Sequence, residues 1–149
     1  MGETDMMLAV SLRMNADNGG ARQRVLLIDD DESIAGSLYQ YLLTQGCEVD
    51  VAVDRVSAAG LMEARQYDVV VVDPYLTGGV LAEDGALLAL IRGCQPEAEL
   101  FVLTGYGSSS LTISAEREGA SAVLTKPQSV VSLSQLIVDA RHPVGETRP

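Results

Sequence analysis

The sequence predicts an α/β domain in which a five-stranded parallel sheet is wound with helices on both faces. Three observations carry that expectation. Val69, Val70, Val71 and Val72 form an unbroken β-branched run, the mark of a strand buried on both sides, as central parallel strands are. Segments of strand and helix character then alternate five times along the chain, the pattern of repeated right-handed β-α-β crossovers. Finally, the interior strands run out into chemistry-bearing side chains: Asp29 and Asp30, Asp73, Thr104 and Lys126. In a parallel sheet those ends share one rim, and the crevice outside the carboxyl ends of the strands is where such sheets bind ligands.

Each element has its own reason. Residues 1–24 lack a sustained period and pass through Asn15-Ala16-Asp17-Asn18-Gly19-Gly20. They read as a mobile leader, with a short helical turn around Met6 to Leu12. Val25 to Ile28 is the first buried strand. Ser33 to Gln45 follows as a helix with Ile34, Leu38, Tyr41 and Leu42 on one face, and Gly46 stops it. Tyr39 and Tyr41 cannot both point inward, and neither needs a function. Glu48 to Ala52 alternates as a half-exposed edge strand does, and its end, Val53-Asp54, need not reach the rim. Arg55 to Arg65 is a second helix carrying Val56, Leu61 and Ala64.

Val69 to Asp73 comes third, closed by Pro74, which cannot extend a ladder. A loop from Pro74 to Glu83, loosened by Gly78-Gly79, leads to a helix over Asp84 to Cys94, apolar through Leu87, Leu88 and Ile91. Leu100 to Leu103 is the fourth strand and runs into Thr104-Gly105. Ser108 to Glu118 is a weaker helix stopped by Gly119. Ala122 to Leu124 is a short fifth strand ending in Thr125-Lys126-Pro127. Ser129 to Arg141 closes the domain with Val130, Leu133, Leu136, Ile137 and Ala140 inward. The chain thus divides into a leader (1–24), one domain (25–141) and a polar tail (142–149).

Composition narrows the function. The chain has 149 residues, the length of one domain with a real core. Its 21 acidic against 10 basic side chains give a net charge of −11. That argues against direct binding to nucleic acid or to an anionic membrane, where a basic stripe is the expected footprint. It suits a protein that handles a cation or meets basic partners. Cys47 and Cys94 lack metal-ligand spacing and read as small hydrophobes in a reducing, cytoplasmic setting. Met6 to Leu12 follows Glu3 and Asp5 and has no basic flank, so it does not read as a signal peptide. No apolar run approaches the ~20 residues of a membrane span.

The rim has a specific chemistry. Crowded carboxylates repel, so Asp29, Asp30 and Asp73 want a cation or raised pKa values. A hard, all-oxygen site with few protein ligands suits Mg²⁺, which also binds phosphate oxygens. A carboxylate such as Asp73 can act as a nucleophile and form an acyl phosphate. Lys126 would place a point charge on a phosphoryl oxygen, and Thr104 a hydrogen-bond donor on another. Phosphoryl transfer needs mainly positioning and charge neutralisation.

These residues resemble the response-regulator receiver family, the phosphoacceptor half of two-component signalling. The matching pieces are Val25-Leu26-Leu27-Ile28-Asp29-Asp30-Asp31-Glu32-Ser33, Val70-Val71-Val72-Asp73, Asp84-Gly85, Val102-Leu103-Thr104-Gly105-Tyr106-Gly107-Ser108 and Leu124-Thr125-Lys126-Pro127. The resemblance runs from Val25 to Arg141 and implies a flavodoxin-like sheet in the order 2-1-3-4-5. It implies that Asp73 is the phosphorylated aspartate and that Asp29 and Asp30 hold Mg²⁺ with Asp73 and the backbone carbonyl of Tyr75. Thr104 would be the switch hydroxyl and Lys126 the family's lysine, followed by a cis Lys126-Pro127 bond. The implied partners are a histidine kinase or phosphotransfer protein as phosphodonor and a downstream protein or a second copy. The implied protein is a stand-alone receiver, not a turnover enzyme, whose last two helices and the strand between them change shape.

Several positions depart from the family pattern. Leu76-Thr77 replaces the usual Met-Pro, and the loop to Asp84-Gly85 is a few residues longer. Val123 stands where the family carries a switching aromatic, a role Tyr106 is expected to share. Tyr75 and Tyr106 lie where water reaches the acyl phosphate, which points to slow dephosphorylation. His142, in the tail, reads as a plain tail residue, and Asp31 and Glu32 as favouring the helix start. Two other readings fit the same residues. One is a receiver-like module that only binds protein. The other is an aspartate-nucleophile Mg²⁺ phosphatase of the haloacid dehalogenase type, whose Asp-x-Asp-x-Thr spacing Asp29 to Ser33 meets loosely.

Overall fold

The computed structural model describes residues 22–74, 84–105 and 109–140, apart from the side chain of Asp84. Within them lie five strands: β1 (Arg24–Ile28), β2 (Glu48–Ala52), β3 (Val69–Val72), β4 (Glu99–Thr104) and β5 (Ala122–Thr125). They form one sheet in the order β2-β1-β3-β4-β5, and every neighbouring pair is parallel. Alternating with them are α1 (Glu32–Thr44), α2 (Arg55–Ala64), α3 (Asp84–Cys94), α4 (Ser109–Arg117) and α5 (Val130–Ala140). This is the doubly wound, flavodoxin-like arrangement expected from the sequence.

The two-residue period of the strands sorts the core into two layers. Val25, Leu27, Val69, Val71, Phe101 and Leu103 face Leu38 and Leu42 of α1 and Leu133 and Ile137 of α5. Leu26, Ile28, Val70, Val72, Leu100 and Val102 face Ala58 and Met62 of α2, Leu87, Leu88 and Ile91 of α3, and Leu111 and Ala115 of α4. All four valines of β3 are buried, so the strand serves both layers at once. Each fully buried Val or Leu contributes roughly 1.5–3 kcal/mol over leaving it exposed.

Local chemistry sets the helix ends. Asp31 caps α1 by accepting from Ser33 N, and Asp54 caps α2 by accepting from Ser57 N. Gly46, at φ 87°, follows α1, and the amides of Gly46 and Cys47 return to Leu43 and Leu42 carbonyls. Gly119, at φ 76°, does the same after α4, with the amides of Gly119 and Ala120 returning to Glu116 and Ala115. Both are left-handed C′ glycines closing paired carbonyl caps.

Three helix faces differ in part from the expectation. In α2, Val56 is 82% exposed and Ala64 is exposed too, while Ala58 and Met62 are buried. The core-facing pair is set by the i, i+4 spacing of Ala58 and Met62, with Leu61 on the shoulder. In α5, Leu136 is 42% exposed and Ser134 is buried in its place. The face runs Val130, Leu133, Ser134, Ile137, which leaves Leu136 off its edge. In α1, Ile34, Leu38 and Leu42 face the core as expected, but Tyr39 rather than Tyr41 packs against it. Cys47 is buried, Cys94 half-buried, and both are free thiols.

β2 is an outer strand. Val51 and, just past its end, Val53 are 37% and 43% exposed, while Asp50 accepts from Tyr67 Oη at 2.6 Å and pairs with Arg65 at 3.2 Å. No helix among the described residues is long and apolar enough to cross a membrane. The leader turn at Met6 to Leu12, Tyr75, Leu76-Thr77, Gly78-Gly79, Tyr106 and His142 lie outside the described residues.

Candidate functional site at the carboxyl rim of the sheet

Register brings the reactive residues together. Ile28 lies opposite Val72 across the β1–β3 ladder, so the next residues, Asp29 and Asp73, sit side by side. Their amides continue the ladders beyond the strands: Asp29 N donates to Ala52 O at 3.0 Å and Asp73 N to Ile28 O at 2.8 Å. Thr104 lies opposite Thr125, and Lys126 N donates to Thr104 O at 2.9 Å. Counting by twos from Leu27, Val71 and Leu124 places Asp29, Asp73 and Lys126 on the α1/α5 side of the sheet. Thr104 counts from Leu100 and Val102 and falls on the α3/α4 side.

The three residues on the first side touch. Lys126 Nζ lies 2.9 Å from Asp29 Oδ2 and 3.0 Å from Asp73 Oδ2. Asp29 and Asp73 are only 6% and 8% exposed, and Thr104 is fully buried. Asp31 Oδ2 stands 3.9 Å from the same ammonium, while Asp31 N donates to Asp29 Oδ1 at 2.9 Å. Asp30, one residue past Asp29, is exposed at the rim. Tyr75 lies outside the described residues, so the fourth expected ligand is not placed. The Lys126–Pro127 peptide is cis.

The electrostatics follow from burial. Desolvation pushes the Asp29 carboxyl above its ordinary range, and the neighbouring Asp73 charge adds to it. The Asp31 amide and the Lys126 ammonium pull the other way without cancelling the rise. Burial draws Lys126 down, but hydrogen bonds from its ammonium to Asp29 and Asp73 carry it above its usual value. Asp31 is held below the carboxylate range, chiefly by the Ser33 hydroxyl. The rim is thus a buried anionic pocket with a cation already seated in it.

That seated ammonium tests whether a divalent ion suits the residues. Its nearest contacts are two hard carboxylate oxygens from adjacent strands, and Asp30 stands at the solvent side. Among the described residues no three His, Cys, Asp or Glu side chains are grouped closely enough to form a ligand set by themselves. Two buried carboxylate oxygens with an exposed carboxylate beside them are hard donors of the kind taken by an ion that keeps several waters, as Mg²⁺ does.

Asp31 is the participant that sequence reasoning placed only at the helix start. It is the N-cap, as its Asp-x-Ser spacing signals, yet its second oxygen also faces Lys126. That second contact has no signature in sequence, because Asp31 and Lys126 are brought together only by the strand order.

Asp29, Asp73 and Lys126 thus meet on the carboxyl rim of a parallel sheet, the edge at which such sheets take ligands. The model of the response regulator receiver domain matches residues 25–138, and the chain belongs to that family. The response regulator protein FleR of Pseudomonas aeruginosa is 35% identical over 124 residues, covering 83% of this chain and 25% of that protein. The photosynthetic apparatus regulatory protein RegA of Rhodobacter capsulatus is 26% identical over 119 residues, 80% of this chain and 63% of that one. The chain thus spans a quarter to somewhat under two thirds of these relatives. Among solved structures, a response regulator from Burkholderia pseudomallei with a phosphorylated aspartic acid, calcium ion and citrate is 31% identical at a TM-score of 0.69, covering 84% of this chain and 72% of that one. A CheY-like receiver domain protein from Methanospirillum hungatei is 26% identical at a TM-score of 0.74, covering 84% and 100%. The chain is a receiver domain of the two-component response-regulator type.

Proposed function

We propose that this domain takes a phosphoryl group from a phosphohistidine on a histidine kinase or phosphotransfer protein onto Asp73, and signals through a change of shape. The observation that carries the reading is the Lys126 ammonium bridging Asp29 and Asp73 at 2.9 and 3.0 Å. A carboxylate oxygen of Asp73 attacks phosphorus as the P–N bond to the imidazole breaks, and the imidazole nitrogen keeps the bonding pair. The product is an acyl phosphate on Asp73. Lys126, which ends beside that oxygen, pairs with a phosphoryl oxygen and offsets the charge that Asp73 gains. Asp29, Asp30, Asp73 and the carbonyl of Tyr75 would hold Mg²⁺. Bound there, the ion neutralises the repulsion between phosphate and carboxylate. The Thr104 hydroxyl is the group drawn toward the new charge.

The shape change is then read on α4, β5 and α5. Ser109, Thr112, Ile113 and Glu116 of α4 and Ala122 and Val123 of β5 line an open groove there. A second copy or another protein is the proposed reader, in the cytoplasm, with no direct contact to nucleic acid. A receiver domain called NtrC4 forms a dimer in its beryllofluoride-activated state, which makes a second copy a concrete candidate. Val123 in place of an aromatic favours the binding-only module as the second reading.

The deciding experiment is labelling with acetyl phosphate. The protein is expected to take up one phosphoryl group, dependent on a divalent ion and abolished by Asp73→Ala. Uptake that survives Asp73→Ala sinks the assignment of the acceptor, and absence of uptake by folded wild-type protein leaves the binding-only module. Steady turnover of a phosphomonoester would instead restore the phosphatase.

A further inference from the structure

We infer that Arg92 is a positioning residue that pins the carboxyl end of α4 to α3, so that the response to phosphorylation is confined to the amino-terminal end of α4. This rests on the phosphoacceptor reading above, because it concerns how the switch moves.

Arg92 stands in the last turn of α3, and its guanidinium reaches across to α4. Nε donates to Glu118 O at 2.8 Å and Nη2 to Gly119 O at 3.5 Å. Nη1 donates to three carbonyls of the turn after α3: Gln95 at 3.1 Å, Pro96 at 3.0 Å and Ala98 at 3.0 Å. Every one of these acceptors is a main-chain oxygen. Glu118 and Gly119 are the cap and C′ residues of α4, so Arg92 collects carbonyls that a helix end leaves without intrahelical partners. A planar fork is needed to serve acceptors in several directions at once; an ammonium on a flexible stem is a point donor and cannot span them.

A second side chain extends the tie. Gln95 is 1% exposed. Its Nε2 donates to Met62 O at 3.0 Å and Arg65 O at 2.8 Å, at the end of α2, and its Oε1 accepts from Tyr67 N at 2.8 Å. Arg92 and Gln95 together therefore bind the carboxyl ends of α2, α3 and α4 into one cluster. That cluster lies at the rim of the sheet opposite Asp73, because each helix runs back against its strand.

The other end of α4 lies beside the carboxyl rim, with Leu111 in the core. Ser109 and Ser110 are exposed and Ile113 is 54% exposed. Midway, α4 meets α3 closely: a Cβ on Gly85 would stand 3.3 Å from Ser114 Oγ. The helix has nine residues, a length of about 13 Å. A rigid rod tied at Gly119 and pushed near Thr104–Gly105 moves most at its amino end and little at its tie. The groove between α4 and β5 would then change width beside Ser109 and Thr112 and keep its width beside Ala120 and Ser121. Arg92 thus sets which part of the output surface changes.

Amide hydrogen exchange on the whole chain, with and without Mg²⁺ and beryllofluoride, tests this in wild type, Arg92→Lys and Arg92→Met. In wild type, beryllofluoride is expected to change exchange at residues 109–113 and leave the cap amides of Gly119 and Ala120 as they were. Without any ligand, both variants are expected to exchange Gly119 and Ala120 about tenfold faster, and with beryllofluoride the response should spread to those amides. A wild-type response of equal size at both ends overturns the proposal, and so does Arg92→Lys behaving as wild type, since charge without the fork would then suffice. If beryllofluoride changes nothing in wild type, the phosphoacceptor reading fails and the switch claim falls with it. The ligand-free comparison at Gly119 and Ala120 still decides whether the clamp exists. Should Arg92→Met not fold, Arg92→Lys carries both arms.

Discussion

Lys126 is the residue on which the rim depends. Removing its ammonium leaves Asp29 and Asp73 side by side, nearly buried and without the cation that bridges them. Breaking a fully buried pair costs about 3–5 kcal/mol; at this rim, where the Lys126 side chain is 14% exposed, Lys126→Met is expected to cost about 2 kcal/mol. The pH dependence has a definite sign. Asp29 already has a raised pKa, so the folded state binds its proton more tightly than the unfolded chain does. Its favourable contribution is complete below the ordinary value of 3.8 and is lost as pH rises through the raised one. Loss of Lys126 raises that pKa further, so the deficit of Lys126→Met should be largest at neutral pH and shrink on acidification. Denaturant midpoints at several pH values check this; a deficit that grows toward acid contradicts it. Asp54 shows the opposite sign. The Ser57 amide, then the Ser57 hydroxyl, hold its carboxyl below the usual range. Its contribution is present above the ordinary value of 3.8 and lost as pH falls through the lowered one. Asp54→Ala should lower the thermal midpoint at neutral pH, and the difference should close in acid.

At the scale of elements, β3 carries the most weight. Val70 and Val72 pack toward α2, α3 and α4, and Val71 toward α1 and α5. Val71→Ala and Val72→Ala should therefore each destabilise the fold by about 1–3 kcal/mol through separate cavities. They point into different layers but share one backbone, so any coupling in the double mutant should come through a shift of the strand rather than through a common cavity; a denaturant series on the single and double mutants measures it. This strand was legible in the sequence because four β-branched residues in a row leave no polar face. The helix faces were less legible. Val56 and Leu136 are apolar and correctly spaced for a face, yet both are exposed. Hydrophobic spacing gives a stripe but not which edge of the stripe meets the sheet, and Ala58 and Ser134 are small enough to lie nearest the strands. Arg92 was not legible at all: its acceptors are main-chain carbonyls, which every residue has.

For the whole molecule, strand order is what turns a linear pattern into a site. Asp29, Asp73 and Lys126 are far apart in sequence and meet because β1 and β3 are neighbours and β5 lies beyond β4. The alternation of strand and helix, together with reactive residues at the strand ends, made that convergence readable in advance. The 3.9 Å approach of Asp31 to Lys126 was not, since it depends on how α1 leaves the sheet. Among the described residues the same order leaves β2 as a border, and that has a consequence for solubility. Its outward amides and carbonyls are a template on which another strand can assemble, next to the apolar Val51 and Val53. Glu48 is engaged with Arg24, and Asp50 with Arg65 and Tyr67, so the exposed Val51 and Val53 are what an approaching strand would meet. Val51→Lys should therefore keep the protein dispersed at concentrations where the wild type shows growth in light scattering, and an identical scattering curve for the two would contradict assembly at this strand.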